Sequence, residues 1–113
     1  MEERWSPLLP PDDPKSAPRE YAVRTKIWRW KGGSWHFANV RAKQSALIKR
    51  RFGSSARGWG SIRVRLKIGD TEWTTSLFPA KKTKTYLFMI KASVRKTEDV
   101  GAGDTVKVLI HIV

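Results

Sequence analysis

The sequence predicts a mainly β protein, a small barrel of six mostly antiparallel strands with two short capping helices. Three observations carry that reading. Ile62, Val64, Leu66 and Ile68 alternate strictly with Arg63, Arg65 and Lys67, the two-residue period of a strand with one buried and one wet face. Gly69-Asp70 follows as a two-residue turn, and glycine in first place supplies the positive φ of a type II′ hairpin. Turn signals then recur at hairpin-length intervals, with only two short stretches of helical spacing between them.

Taken in order, residues 1–19 contain five of the six prolines and almost no apolar periodicity. They are expected to form a disordered, mildly acidic tail, leaving residues 20–113 as a single folded domain. Tyr21 to Trp30 is expected as the first strand, with Tyr21, Val23, Thr25 and Ile27 on one face and Arg24, Lys26, Trp28 and Trp30 on the other. Lys31-Gly32-Gly33-Ser34 turns the chain, and Trp35 to Val40 returns it. Asn39 is placed to cap a helix from Arg41 to Phe52, in which Leu47, Ile48 and Phe52 follow Val40 at helical spacing. Gly53 to Gly58 is a flexible loop. The two-residue turn then pairs Ile68 with Thr71, Lys67 with Glu72 and Leu66 with Trp73, which sends Trp73, Thr75 and Leu77 inward.

Pro79 is expected to end that strand, and Ala80 to Thr85 to form a lysine-rich loop. Tyr86 to Ile90, apolar throughout, reads as a short strand buried on both faces. Lys91 to Glu98 makes one or two helical turns. Gly101-Ala102-Gly103-Asp104 is a tight turn into a last strand, Thr105 to Val113, with Val106, Val108, Ile110 and Ile112 inward.

Charge narrows the possible partners. The 113 residues carry a formal charge of +13 and a pI near 10.7. Residues 1–20 hold five acids and three bases, so the remainder sets twenty Lys and Arg against five acids. Self-repulsion on that scale opposes compactness and favours polyanions, anionic lipid or acidic proteins. With no cysteine, disulfides, thiol nucleophiles and thiolate metal sites are excluded. No apolar run approaches the roughly 20 residues of a membrane span, and the N-terminus lacks a secretory pattern, so a soluble cytoplasmic protein is expected.

Three segments together resemble a known family: W-G-S-I-R-V-R-L-K-I-G-D-T-E-W-T-T-S-L-F-P, then Y-L-F-M-I-K-A-S-V-R-K, then G-A-G-D-T-V-K-V-L-I-H-I. Their order and spacing are similar to a bacterial family of small domains of unknown function, sometimes fused to a YdeI-like (OmpD-associated) module. Trp73, Ser76, Leu77, Pro79, Lys91, Val94, Arg95, Gly103, Asp104 and Val106 sit where that family's pattern places them. The resemblance implies a double-split (pseudo)barrel like the swapped-hairpin barrels of the AbrB and MazE DNA-binding domains, and implies no established activity. This chain departs from the pattern at Asn39-Val40-Arg41 and Ala80-Lys81-Lys82, each time gaining basicity. AbrB-like barrels assemble from two chains. Six strands suffice within one, so a monomer is expected, with a homodimer as the alternative.

Catalysis finds little footing. His36 and His111 lack a cysteine or Ser-Asp partner arrangement, no pair of ligands has metal spacing, and no glycine loop is built to cradle phosphates. A non-enzymatic protein without metal or cofactor is expected. Binding has more material. Arg63, Arg65 and Lys67 would form a linear cationic stripe about 13 Å long, since alternate strand residues lie roughly 6.5 to 7 Å apart. Arg24 and Lys26 with Trp28 and Trp30 interleave cations and indoles, the combination that tracks single strands by charge and stacking. Lys81, Lys82 and Lys84 extend the cationic surface, and Trp59 offers a further indole. These residues make a nucleic acid or other polyanion the leading partner class. The alternative is a small-ligand or protein-binding barrel whose basicity is incidental and whose tryptophans fill the barrel. A second candidate, a pocket for a carboxylate or phosphate, groups Ser76, Lys91 and Arg95. Against it, Arg95 has Glu98 and Asp99 within reach on its own helix.

Overall fold

The hairpin at the centre of the fold forms as its turn dictates. In the computed structural model, which describes residues 18–113, β4 (Ile62–Ile68) and β5 (Thr71–Ala80) pair Ile68 with Thr71, Lys67 with Glu72 and Leu66 with Trp73. Gly69 takes φ +57 while Asp70 stays negative, the type II′ arrangement. Trp73 is 6% exposed and Leu77 fully buried, so the apolar face points into the core.

Around that hairpin the chain adds β1 (Glu20–Lys26), β2 (Trp28–Arg29), β3 (His36–Asn39), α1 (Ala42–Phe52), β6 (Thr85–Met89), α2 (Ala92–Glu98) and β7 (Thr105–Ile112). Seven antiparallel strands form one curled half-barrel sheet in the order β1-β7-β4-β5-β6-β3-β2. The strand count exceeds the expected six because the first expected strand divides at Ile27. Glu20 to Lys26 pairs with β7, whereas Trp28 and Arg29 pair with β3 at the opposite end of the sheet order. Ile27 is buried at the crossing and exchanges backbone hydrogen bonds with the Gly103-Asp104 turn at 2.8 and 2.9 Å.

Other boundaries moved for identifiable reasons. Asn39 does not cap α1: it remains in β3, its Oδ1 accepting from Trp28 Nε1 at 2.7 Å and its Nδ2 donating to Thr85 Oγ1 at 2.9 Å. The ladder to β6 continues through Val40, whose N–H donates to Tyr86 O, so the chain stays extended to Arg41. α1 buries Ser45, Ile48 and Phe52 along one stripe and ends in Lys49, Arg50 and Arg51, cations that suit its negative C-terminal end. Pro79 lies within β5 instead of ending it. Its partner Tyr86 directs its N–H to Ser45 Oγ and its carbonyl to Val40, away from β5, so Pro79 needs no N–H on that side. β6 buries Tyr86 and Phe88 but leaves Leu87 and Met89 only partly covered, so it is a half-covered strand instead of one buried on both faces.

Of the expected tail, residues 1–17 lie outside the described residues. Arg19 belongs to the body: its carbonyl accepts from Ile112 N–H at 2.8 Å, and its guanidinium stands 5.5 Å from the centre of the Phe52 ring.

The register contains an internal repeat. Moving fifty positions along the chain turns the β2–β3 pairs Trp28↔Phe37 and Arg29↔His36 into the β5–β6 pairs Phe78↔Leu87 and Pro79↔Tyr86. The same shift relates Ile27 to Leu77, both buried where a long strand changes partner. It also relates Arg41 to Lys91, the residues before the helices, with φ/ψ of −60/153 and −59/148. Hydrogen bonds between the halves are reciprocal: Val40 N–H to Tyr86 O at 2.8 Å and Ile90 N–H to His36 O at 2.9 Å. One chain therefore supplies two strand–hairpin–helix–strand units around an approximate two-fold axis.

Candidate functional site

Sheet order gathers cations that the sequence presents as separate stripes. Arg24 and Lys26 in β1, Lys107 in β7, and Arg63, Arg65 and Lys67 in β4 all occupy outward positions on adjoining strands. Arg24 faces Lys107 directly, and Lys67 faces Leu109 one row further along. With strands about 4.8 Å apart, the six form an oblique band across one face. Among the described residues the acids on that face are Glu20 and Glu72, and both are engaged. Glu72 Oε1 stands 3.7 Å from Arg65 Nε, and Glu20 hydrogen-bonds His111 Nδ1. The Arg65–Glu72 pair is half exposed, so it contributes little and yields readily to a competing anion.

The tryptophans divide by role. Trp28 does not join Arg24 and Lys26 on an interleaved face, because the bend at Ile27 carries it to the other edge of the sheet. There it is half-buried, hydrogen-bonded to Asn39 and tilted against Phe37 with ring centroids 5.1 Å apart. Trp30 and Trp35 are 55% and 58% exposed at the tip of the β2–β3 hairpin, and Trp59 is 92% exposed in its loop. The tip is closed by Trp30 N–H donating to Trp35 O at 2.7 Å, and Arg29 braces it through Gly33 O at 3.1 Å. Trp59 adopts φ +64, unusual for a bulky residue. The adjoining Gly60 lies so close to Pro79 that a Cβ there would stand 3.2 Å from the ring.

The proposed grouping of Ser76, Lys91 and Arg95 does not assemble. Ser76 lies opposite Arg63 on the cationic face. Lys91 and Arg95 instead line a groove of about 280 Å³ with Trp35 and Met89 at the start of α2. The helix pairing weighed for Arg95 is absent too: its Nε donates to Ile90 O at 3.3 Å, and Glu98 accepts from Thr71 Oγ1 at 2.5 Å. Lys81, Lys82 and Lys84 are exposed in the β5–β6 turn, with Lys84 at φ +57. Lys81 and Lys84 meet Lys49 of α1 around a groove of about 390 Å³. Sequence reasoning left Lys49 outside any site; its only signal was a cation in the last turn of a helix. Lys107 was legible as an outward position of the last strand, but its neighbours were not.

His36 Nδ1–H donates to Ser34 O at 2.7 Å, and among the described residues no three His, Cys, Asp or Glu gather as a metal site. Among the same residues no helix is long and apolar enough to cross a membrane. Tyr86, in the floor of the lysine groove, has its phenol pKa raised by burial. The arrangement thus offers a charged open face, three exposed indoles and a groove beside each helix. No curated protein matches the chain. The family described as a domain of unknown function, DUF1905, matches residues 24–110, from Arg24 in β1 to Ile110 in β7, and the chain belongs to it.

Proposed function

We propose that the protein is a non-enzymatic, cytoplasmic binding module that takes nucleic acid on the outward face of β1, β7, β4 and β5. One observation carries the reading: among the described residues six cations share that face with two acids, and each acid already has a partner on it. Arg24 against Lys107 is a like-charge pair across a ladder, an arrangement that costs stability and is relieved by a bound anion. Exposed indoles at Trp30, Trp35 and Trp59 supply surfaces on which unpaired bases stack. We further read the fold as a double-split barrel complete in one chain, since the repeat provides both halves. The protein then works as a monomer, and light scattering should return a mass near 13.0 kDa.

A salt titration tests the binding reading. About six phosphate contacts give a log-affinity slope against log salt of about −4 on single strands and −5 on duplex. Arg63→Ala with Arg65→Ala should flatten that slope by nearly two while far-ultraviolet circular dichroism stays unchanged. Equal, weak binding to heparin would reduce the reading to generic charge attraction. Undetectable binding at low salt would leave a barrel whose basicity is incidental.

A further inference from the structure

We infer that the groove between α1 and the β5–β6 turn is a binding site for a small phosphomonoester with a flat apolar body. Lys49 reaches it from the last turn of the helix, Lys81 and Lys84 from the turn, and among the described residues no acid lines it. Its floor is apolar: Ala46, Pro79, Ala80 and the ring of Tyr86. At about 390 Å³ it lies at the lower end of the range for small-molecule sites. Three ammonium groups over such a floor suit a head group carrying about 1.5 to 2 negative charges, with an apolar body packed beneath it.

Two of the groove's neutral side chains, Ser45 and Thr85, are already hydrogen-bonded. Ser45 Oγ donates to Val40 O at 3.1 Å and accepts from Tyr86 N–H at 3.0 Å. Thr85 Oγ1 accepts from Asn39 and shares a hydrogen bond with Thr83. Recognition of the head group is therefore left to the lysines and the Tyr86 hydroxyl. Lys84 is held at φ +57, a conformation that is strained for a residue with a Cβ and that clusters at functional sites. The internal repeat gives a comparison within the molecule. Fifty positions earlier, Trp35 stands where Thr85 is, and fifty positions later Arg95 stands where Ser45 is. The corresponding groove there is smaller, about 280 Å³, and both side chains line it. The groove beside α1 is the larger of the two and carries three cations, Lys49, Lys81 and Lys84, against Lys91 and Arg95 in the other.

This site is separate from the cationic face, so it stands or falls independently of nucleic-acid binding. The test is amide chemical-shift titration of the full chain with phenyl phosphate, inorganic phosphate and phenol. Phenyl phosphate should shift Ala46, Lys84 and Tyr86 saturably and bind at least about tenfold tighter than either fragment, because both head and body contribute. Lys49→Gln or Lys84→Gln should each weaken it about tenfold, the worth of a lost charge-assisted hydrogen bond. Ala46→Trp, at an exposed helix position, should block the groove while leaving the remaining amide shifts in place. Arg63→Ala with Arg65→Ala should leave phenyl phosphate binding unchanged, which separates this site from the phosphates of a nucleic-acid backbone. Equal affinity for inorganic phosphate and phenyl phosphate, or undiminished binding in Ala46→Trp, would overturn the proposal.

Discussion

Ser45 is the buried polar residue on which the junction of strand and helix depends. Its hydroxyl returns a hydrogen to Val40 O and receives one from Tyr86 N–H, so it satisfies a carbonyl before α1 and an amide of β6 together. The corresponding residue in the other half is Arg95, whose Nε performs the first of these tasks on Ile90 O. Ser45→Ala leaves Tyr86 N–H without its protein partner at a buried position, at an expected cost of about 1–3 kcal/mol. Urea unfolding should show the midpoint falling with the slope unchanged. A constant midpoint would mean that water replaces the hydroxyl. Gly69 is constrained twice over. It takes positive φ, and a Cβ there would stand 2.0 Å from Glu98 Oε1. Gly69→Ala therefore has to dislodge Glu98 from Thr71, and it should cost about 1–3 kcal/mol. In a Glu98→Ala background only the backbone term remains, so the same substitution should cost less; equal costs in both backgrounds would show that the contact is easily relieved.

Secondary-structure elements differ in how far local chemistry specifies them, and the two hairpins illustrate this. The β4–β5 register was legible because a two-residue turn leaves one way to pair Leu66 with Trp73. The first strand was not, because alternation from Tyr21 to Ile27 runs on in phase while the partner changes from β7 to β3. A change of partner is a long-range event that leaves no local mark. For the same reason Trp28 read as a stacking residue beside Lys26, although its environment is made by Asn39 and Phe37 across the next turn. The repeat is faint in the sequence because its halves share residue character more than identity, as in Val40-Arg41-Ala42 and Ile90-Lys91-Ala92. The lysine groove needed three elements in place before Lys49 could join Lys81 and Lys84. At the β2–β3 tip the roles now separate experimentally. Trp28→Ala should cost about 2 kcal/mol in stability, less than the ~3–5 kcal/mol of a fully buried aromatic, since only part of the ring is covered. Trp30→Ala and Trp35→Ala should hardly affect unfolding, yet weaken single-strand binding by about 1–3 kcal/mol per stacked base. Destabilisation by all three alike would make the tip a packing feature.

Across the whole molecule, the body past residue 20 carries twenty cations against five acids, and the fold concentrates part of that surplus on one face. A charge surplus of this size acts against the compact state, so folding alone gives no reason to set Arg24 opposite Lys107. Lys107→Glu changes the sign of that cross-strand pair. At low ionic strength the variant should gain about 0.2–1 kcal/mol, the range by which favourable and unfavourable cross-strand pairs differ. The gain should shrink as salt approaches physiological strength, where the screening length falls to about 8 Å. Binding should move the other way. One phosphate contact is lost, which flattens the salt slope by about one, and the new carboxylate repels the backbone that the face is proposed to hold. A variant that is more stable and binds more weakly would place the repulsion among features kept for a partner at the expense of stability. A variant that is more stable and binds as before would move the nucleic-acid contact away from β1 and β7, towards β4 and the hairpin tip. Lower stability would mean that Lys107 is stabilised by its surroundings and that the pair with Arg24 is not repulsive in the folded protein.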